Sequence, residues 1–148
     1  MSLAPPEGFR HHIPIQVRWV DMDALGHVNN AKYLSYLELA RIDYSRTLNL
    51  WNGDLSKTGL IMARVVLDYK LPLTAGDDVH VFTRCSRLGN RSFDTEQLIV
   101  RVQDSSTQIA AQATITVVAY DYHSNQSIPI SPEWRTRIGE YEPGQIAQ

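Results

Sequence analysis

Residues 21–41, DMDALGHVNNAKYLSYLELAR, decide how the chain folds. The first ten, Asp21 to Asn30, are rich in turn formers: two aspartates, Gly26 and two asparagines. From Ala31 the pattern takes a helical period. Tyr33, Tyr36, Leu37, Ala40 and Tyr44 fall on one stripe, and Lys32, Ser35, Glu38, Asp43 and Arg46 lie mostly on the other side. The period runs to about Asn49 and predicts a helix of roughly 25–30 Å. Asn29 or Asn30 is placed to cap it, its side-chain oxygen taking an otherwise unpaired backbone N–H. Leu34, Leu39 and Ile42 widen the apolar surface, so much of this helix is expected to be covered. Glu38 and Arg41 are spaced for a pair on the helix surface. A polar cluster at a helix mouth has two readings: a capped turn, or a site where an acid and the helix-end amides act on one small electrophile.

Outward from this stretch the chain alternates. Residues 1–12, with Pro5, Pro6 and Gly8, read as a loose lead-in. IPIQVRWV (13–20) puts Ile13, Ile15, Val17 and Trp19 on one face of a strand. WNGDLSKTG (51–59) ends the helix with Gly53 and Gly59. In the strand that follows, Ile61, Ala63, Val65, Leu67 and Tyr69 share a face. Val79, Val81 and Thr83 do so in the next. SFDTEQLIVRVQ (92–103) is another strand, and the last long one aligns Ile109, Ala111, Ala113, Ile115 and Val117. TAGDD, LGN and DSSTQ separate strands as turns, and such short gaps favour antiparallel hairpins. Near the end, Ser131 and Pro132 open a short helix. The expectation is one α+β domain over residues 1–148. In it a curved antiparallel sheet of about five strands wraps one long central helix, which has no other surface on which to bury its stripe.

Composition narrows the function classes. The chain has 148 residues, 43% hydrophobic and 20% charged, with a formal net charge of −2. That balance offers no basic field for nucleic acid. No apolar run reaches membrane-spanning length, and the first residues lack a signal-peptide core, so no membrane partner and a cytoplasmic location are expected. Cys85 is the single cysteine. It falls mid-strand without an acid–base partner nearby in sequence, and there is no Gly-x-Ser-x-Gly elbow. His11 and His12 are adjacent in the lead-in, and His80 and His123 are isolated, which is poor material for a metal site.

The order strand, long helix, four strands, with DMDALGHVNNAKYLSYLELAR at the junction, resembles the hotdog-fold acyl-CoA thioesterases, and more closely the 4-hydroxybenzoyl-CoA thioesterase family. Asp21, Asp23 and Gly26 match its Asp-x-Asp and following glycine. HVNN (27–30) with Tyr33, LELAR (37–41) and YKLPLTAGDDVHV (69–81) extend the match over residues 12–140. The resemblance implies hydrolysis of acyl-CoA, or acyl-carrier-protein, thioesters without a cofactor or metal. Asp23 would be nucleophile or general base, with His27 beside it. A backbone N–H at Asn30 or a neighbour would hold the thioester oxygen, and Asn29, Asn30 and Tyr33 form the oxyanion and substrate set. Arg87, Arg91 and Ser92, in RLGNRS, are the candidates for CoA. Homodimers or homotetramers are the family's assemblies. The plant acyl-carrier-protein thioesterases carry a catalytic Asn where this chain has Leu25, so that part of their mechanism does not transfer. A hydratase or dehydratase using His27, or a non-catalytic acyl-binding module, are the competing readings. Elementary chemistry fits the thioesterase roles: a helix start stabilises an oxyanion, one such donor being worth about 3 kcal/mol, and thiolate leaves readily.

Overall fold

The computed structural model of the chain describes residues 3–50, 58–144 and 146–148. In chain order these form β1 (His11–Ile15), a 3-10 turn at Trp19–Asp21, α1 (Asn30–Thr47), β2 (Thr58–Tyr69), β3 (Asp78–Leu88), β4 (Ser92–Gln103), β5 (Ser106–Asp121), the two-residue β6 (Gln126–Ser127) and α2 (Pro132–Tyr141). The sheet is antiparallel in the order β1-β3-β4-β5-β2, with β6 against β5. α1 lies across one face of it. Its stripe of Tyr33, Tyr36, Leu37, Ala40 and Tyr44 is buried against Val79, Val81, Phe93, Ile99, Ala113 and Ile115. α2 begins as read, with the Ser131 hydroxyl accepting from Trp134 N and Pro132 in the first turn.

Several expectations are corrected. The lead-in is not loose throughout: β1 already starts at His11. Phe9 is buried in a second apolar cluster with Phe82, Leu98 and Val100 on the sheet face away from α1. The strand read as 13–20 stops at Ile15, and Trp19 is 81% exposed in the 3-10 turn. The faces of β2 and β5 change parity. A bulge between Met62 and Arg64 makes Ala63 an extra residue, so Leu60 and Met62, rather than Ile61, share the face of Val65 and Leu67. A second bulge leaves Ala110 unpaired against β4 and puts Ile109, 42% exposed, off the face of Ala111. Leu34 and Leu39 are 41% and 54% exposed, because a single sheet covers only one side of α1. The helix ends at Thr47, and Asn49 turns the chain with φ +55°; Gly53 lies outside the described residues.

Hairpins join β3, β4 and β5, but β2 and β3 are not neighbours. Three strand spacings, about 14 Å, separate them. Residues 70–77 make that crossing beneath the start of α1. The Leu73 carbonyl takes Val28 N at 2.8 Å, and the Leu71 carbonyl takes the Tyr33 hydroxyl at 3.1 Å. This crossing segment is what holds the polar loop in place.

Candidate active site

The loop from Asp21 to Asn30 is a small closed structure. Met22 and Val28 form an antiparallel bridge, and Asp23 N donates to the His27 carbonyl at 2.8 Å. Between them the Asp23 carbonyl takes Gly26 N at 3.1 Å, in a turn that sets Gly26 at φ +82°. A Cβ there would meet nothing within 4 Å, so glycine is needed for its backbone freedom and not for space.

Asp21 is the brace. Only 2% exposed, it accepts from Arg18 N at 3.1 Å, from the Arg18 guanidinium at 2.9 and 3.2 Å, and from the Tyr36 hydroxyl at 2.7 Å. Burial works to push its carboxyl up, but these bonds outweigh it and leave the group below the ordinary carboxylate range. The same contact, with burial as the larger cause, raises the Tyr36 phenol.

Asp23 stands in contrast. It is exposed, and Oδ1 accepts Leu25 N at 2.9 Å, which closes an Asx turn. Its second carboxylate oxygen finds no partner among the described residues. His27 is also exposed and is tied to Asp23 through backbone, not through its ring.

At the helix mouth Asn29 is the cap: its side-chain oxygen accepts Ala31 N at 2.9 Å, and its carbonyl takes Lys32 N at 2.8 Å. Those bonds use the amides of Ala31 and Lys32. The N–H of Asn30, first residue of α1, is left without an acceptor among the described residues, at the positive end of the helix. Tyr33 is core: 2% exposed, its hydroxyl on Leu71 and its ring edge-on to Tyr69. Tyr69, which the sequence reading did not single out, donates from its hydroxyl to the Asn30 carbonyl at 2.8 Å and so orients that peptide.

Arg87, Arg91 and Ser92 lie elsewhere. Arg87 holds Asp94 through two bonds and Ser92 Oγ through a third, and Arg91 donates to the Ser127 carbonyl. They sit at the far end of β3 from the crossing segment. Nine residues of strand, about 30 Å, separate Arg87 from Asp78. Within one chain, therefore, the acid and these cations do not meet. Two sizeable cavities, of about 310 and 530 Å³, flank α1, and neither is lined by Asp23 or His27. Among the described residues no three His, Cys, Asp or Glu side chains gather as they would around a metal ion. The Cys85 thiol is buried and pushed up to about 12 by that burial and by Glu142, which makes it a poor nucleophile.

The profile of the thioesterase-like superfamily matches residues 17–138, which include this whole loop and both helix flanks. The chain belongs to that superfamily. Its sheet and central helix are the hotdog fold, shared with solved thioesterases. The long-chain acyl-CoA thioesterase FadM of Escherichia coli is 27% identical over 130 residues, 84% of this chain and 93% of that one. The acyl-CoA thioesterase YbgC of Haemophilus influenzae is 30% identical over 111 residues, 73% of this chain and 79% of that one. A Thermus thermophilus thioesterase solved with coenzyme A and zinc superposes with a TM-score of 0.81 at 32% identity, covering 95% of this chain and all of that one. Among the described residues no helix is long and apolar enough to cross a membrane.

Proposed function

We propose that the chain hydrolyses acyl-CoA thioesters, with Asp23 as the reacting acid and the Asn30 N–H as oxyanion donor. The observation that carries this is the Asn30 amide at the start of α1, on the same short loop as an exposed carboxylate, with neither that N–H nor the second carboxylate oxygen paired among the described residues. As a general base, Asp23 takes a proton from water, and the hydroxide oxygen bonds to the thioester carbon. The carbonyl becomes an oxyanion facing Asn30 N–H; its collapse breaks the C–S bond and releases thiolate. As a nucleophile, the carboxylate itself attacks and water cleaves the resulting anhydride. Single-turnover hydrolysis in heavy-oxygen water that labels the protein carboxylate identifies the anhydride route with water attacking the aspartyl carbon, whereas attack on the acyl carbon labels only the released acid, as the general-base route does. Thiol release from short, long and aromatic acyl-CoAs, by wild type and Asp23→Asn, tests the reading itself. Turnover of some member, lost in a folded variant, supports it. No release from any thioester rejects it.

The working unit we infer is a homodimer joined through β2. β2 is an edge strand, twelve residues long, with Ile61, Met62, Val66 and Tyr69 exposed. A long apolar edge left unpaired is an aggregation hazard, and pairing it with its own copy removes the edge. A two-fold axis beside β2 reverses the partner, so its β3–β4 turn lies at the same end as this chain's Asp23. Arg87, Arg91 and Ser92 then serve CoA from the neighbouring subunit, as a site at a subunit boundary requires. Sedimentation at micromolar concentration is expected to give twice the mass of one chain or a multiple of that, and a monomer would remove both the interface and this CoA assignment.

A further inference from the structure

The flank of α1 beside β2 leads away from the candidate active site. Its near end is pinned by the Tyr69 hydroxyl on the Asn30 carbonyl, and its far end by Arg41, whose Nη2 lies 3.7 Å from the Met62 sulfur. Between Asn30 and Arg41 the helix rises about 16 Å. Asn30, exposed Leu34, Glu38 and Arg41 succeed one another along this flank at helical spacing. At the far end of this flank lies the cavity of about 310 Å³, whose wall has apolar Leu60, Met62, Phe93 and Val117 together with the charged Glu38 and Arg41. Its apolar part suits a hydrocarbon chain.

Of the two charged groups in that wall, Glu38 and Arg41, Arg41 is the cation. It does not form the surface pair with Glu38 that its spacing predicts. Instead Nη1 reaches into the sheet and donates to Gln97 Oε1 at 3.1 Å. Gln97 is fully buried, and its amide nitrogen donates to the Leu37 carbonyl and to Thr83 Oγ1, both at 3.0 Å, which turns its oxygen toward Arg41. No carboxylate lies within ion-pair distance of Arg41 among the described residues. Burial depresses the guanidinium, and Glu38 offsets this only from longer range. A partly desolvated guanidinium with donors to spare costs free energy until an anionic acceptor reaches it.

With the thioester carbonyl at Asn30, as proposed above, we infer that the acyl chain lies along this flank of α1 and that Arg41 binds a carboxylate at the chain's far end. The preferred substrates are then ω-carboxyacyl thioesters whose two ends are spaced by about the 16 Å of helix between Asn30 and Arg41. Arg41 sets specificity, and Gln97 positions it.

The test compares kcat/KM for a length series of ω-carboxyacyl-CoAs with methyl-ended acyl-CoAs of equal length. Wild type is expected to favour the carboxylated member at least about tenfold at one length, and Arg41→Gln to abolish that preference. An equal or reversed preference in wild type overturns the inference and needs no variant. So does a preference that survives in Arg41→Gln, and so does dissociation of that variant into monomers, which would assign the guanidinium to the interface. Free α,ω-dicarboxylic acids, titrated by calorimetry, keep the two readings apart. If no thioester is hydrolysed, the thioesterase reading fails, while binding of a dicarboxylate that weakens in Arg41→Gln still supports the cavity assignment. Absence of any such binding overturns it.

Discussion

Asp21 and Asp23 stand two residues apart on one loop and meet opposite environments. Asp21 is sealed behind α1 with four donors on its carboxylate, and Asp23 faces solvent with one oxygen spoken for by its own turn. The difference follows from what each neighbour can supply. Arg18 and Tyr36 reach Asp21 from the chain before the loop and from the second turn of α1, so the carboxylate locks three segments together. Among the described residues only local backbone reaches the Asp23 side chain. A carboxylate saturated with donors is held charged and is a weak base, whereas an unsaturated one at a helix mouth keeps a lone pair for chemistry. The pair teaches that an Asp-x-Asp motif is a division of labour, one acid building the loop and the other left available on it.

The largest effect that would sharpen this contrast is at Asp23. Asp23→Asn keeps the Asx turn, because an amide oxygen still accepts Leu25 N, but it removes the carboxylate proposed as base or nucleophile. Activity is expected to fall by about 10²–10⁴-fold with no measurable change in melting temperature. An active Asn variant, or one that is inactive only because it unfolds, breaks the comparison.

Asp21→Asn should show the reverse order of consequences. Both carboxylate oxygens of Asp21 face an Arg18 N–H, so the new amide nitrogen must face a donor in either orientation. Unfolding free energy is expected to drop by about 1.5–3 kcal/mol, toward the lower end because Arg18 itself is 59% exposed. The acid limb of stability carries the same signature. The folded carboxyl is depressed, so its contribution is complete above the unfolded value of about 3.9 and is lost as pH falls through the folded value. Denaturant melts at stepped acid pH should show that positive slope in wild type and its loss in Asp21→Asn; an unchanged slope would mean the four donors do not stabilise the charge.

Much of this division could be read from residue order. The switch from turn formers to a helical period located the loop, the cap and the buried stripe, because period and capping chemistry are local properties. Three things were not local. Single-residue bulges at Ala63 and Ala110 reverse the parity of a strand without altering its composition, so Ile61 and Ile109 were assigned to the wrong face. The spacing of Glu38 and Arg41 describes a helix in isolation, and a buried Gln97 on a strand over fifty residues away takes the arginine instead. The crossing by residues 70–77, which supports the loop from below, joins strands that sequence proximity pairs as a hairpin. Gln97 did leave a signal, a lone amide between Thr95 and Ile99 on the inward parity of β4, where a polar group must have partners.

The smallest perturbation tests whether Asp23 depends on geometry alone. Gly26→Ala adds a methyl into open space, so packing is not at issue. Its cost is the left-handed backbone at φ +82°, about 1–2 kcal/mol for an L-residue. Relief of that strain must come from the 23–26 turn, which carries Asp23 on its first residue, while Asp21 and its four donors lie outside it. Stability should therefore fall by about that amount and the acid limb attributed to Asp21 should be preserved. Activity should fall further than stability explains, since an ångström of displacement at a reacting group costs up to about a hundredfold. If activity merely tracks the folded fraction, the turn tolerates both conformations and Asp23 is positioned by something other than the glycine. If the acid slope disappears as well, the two aspartates are one coupled unit and the contrast between them fails.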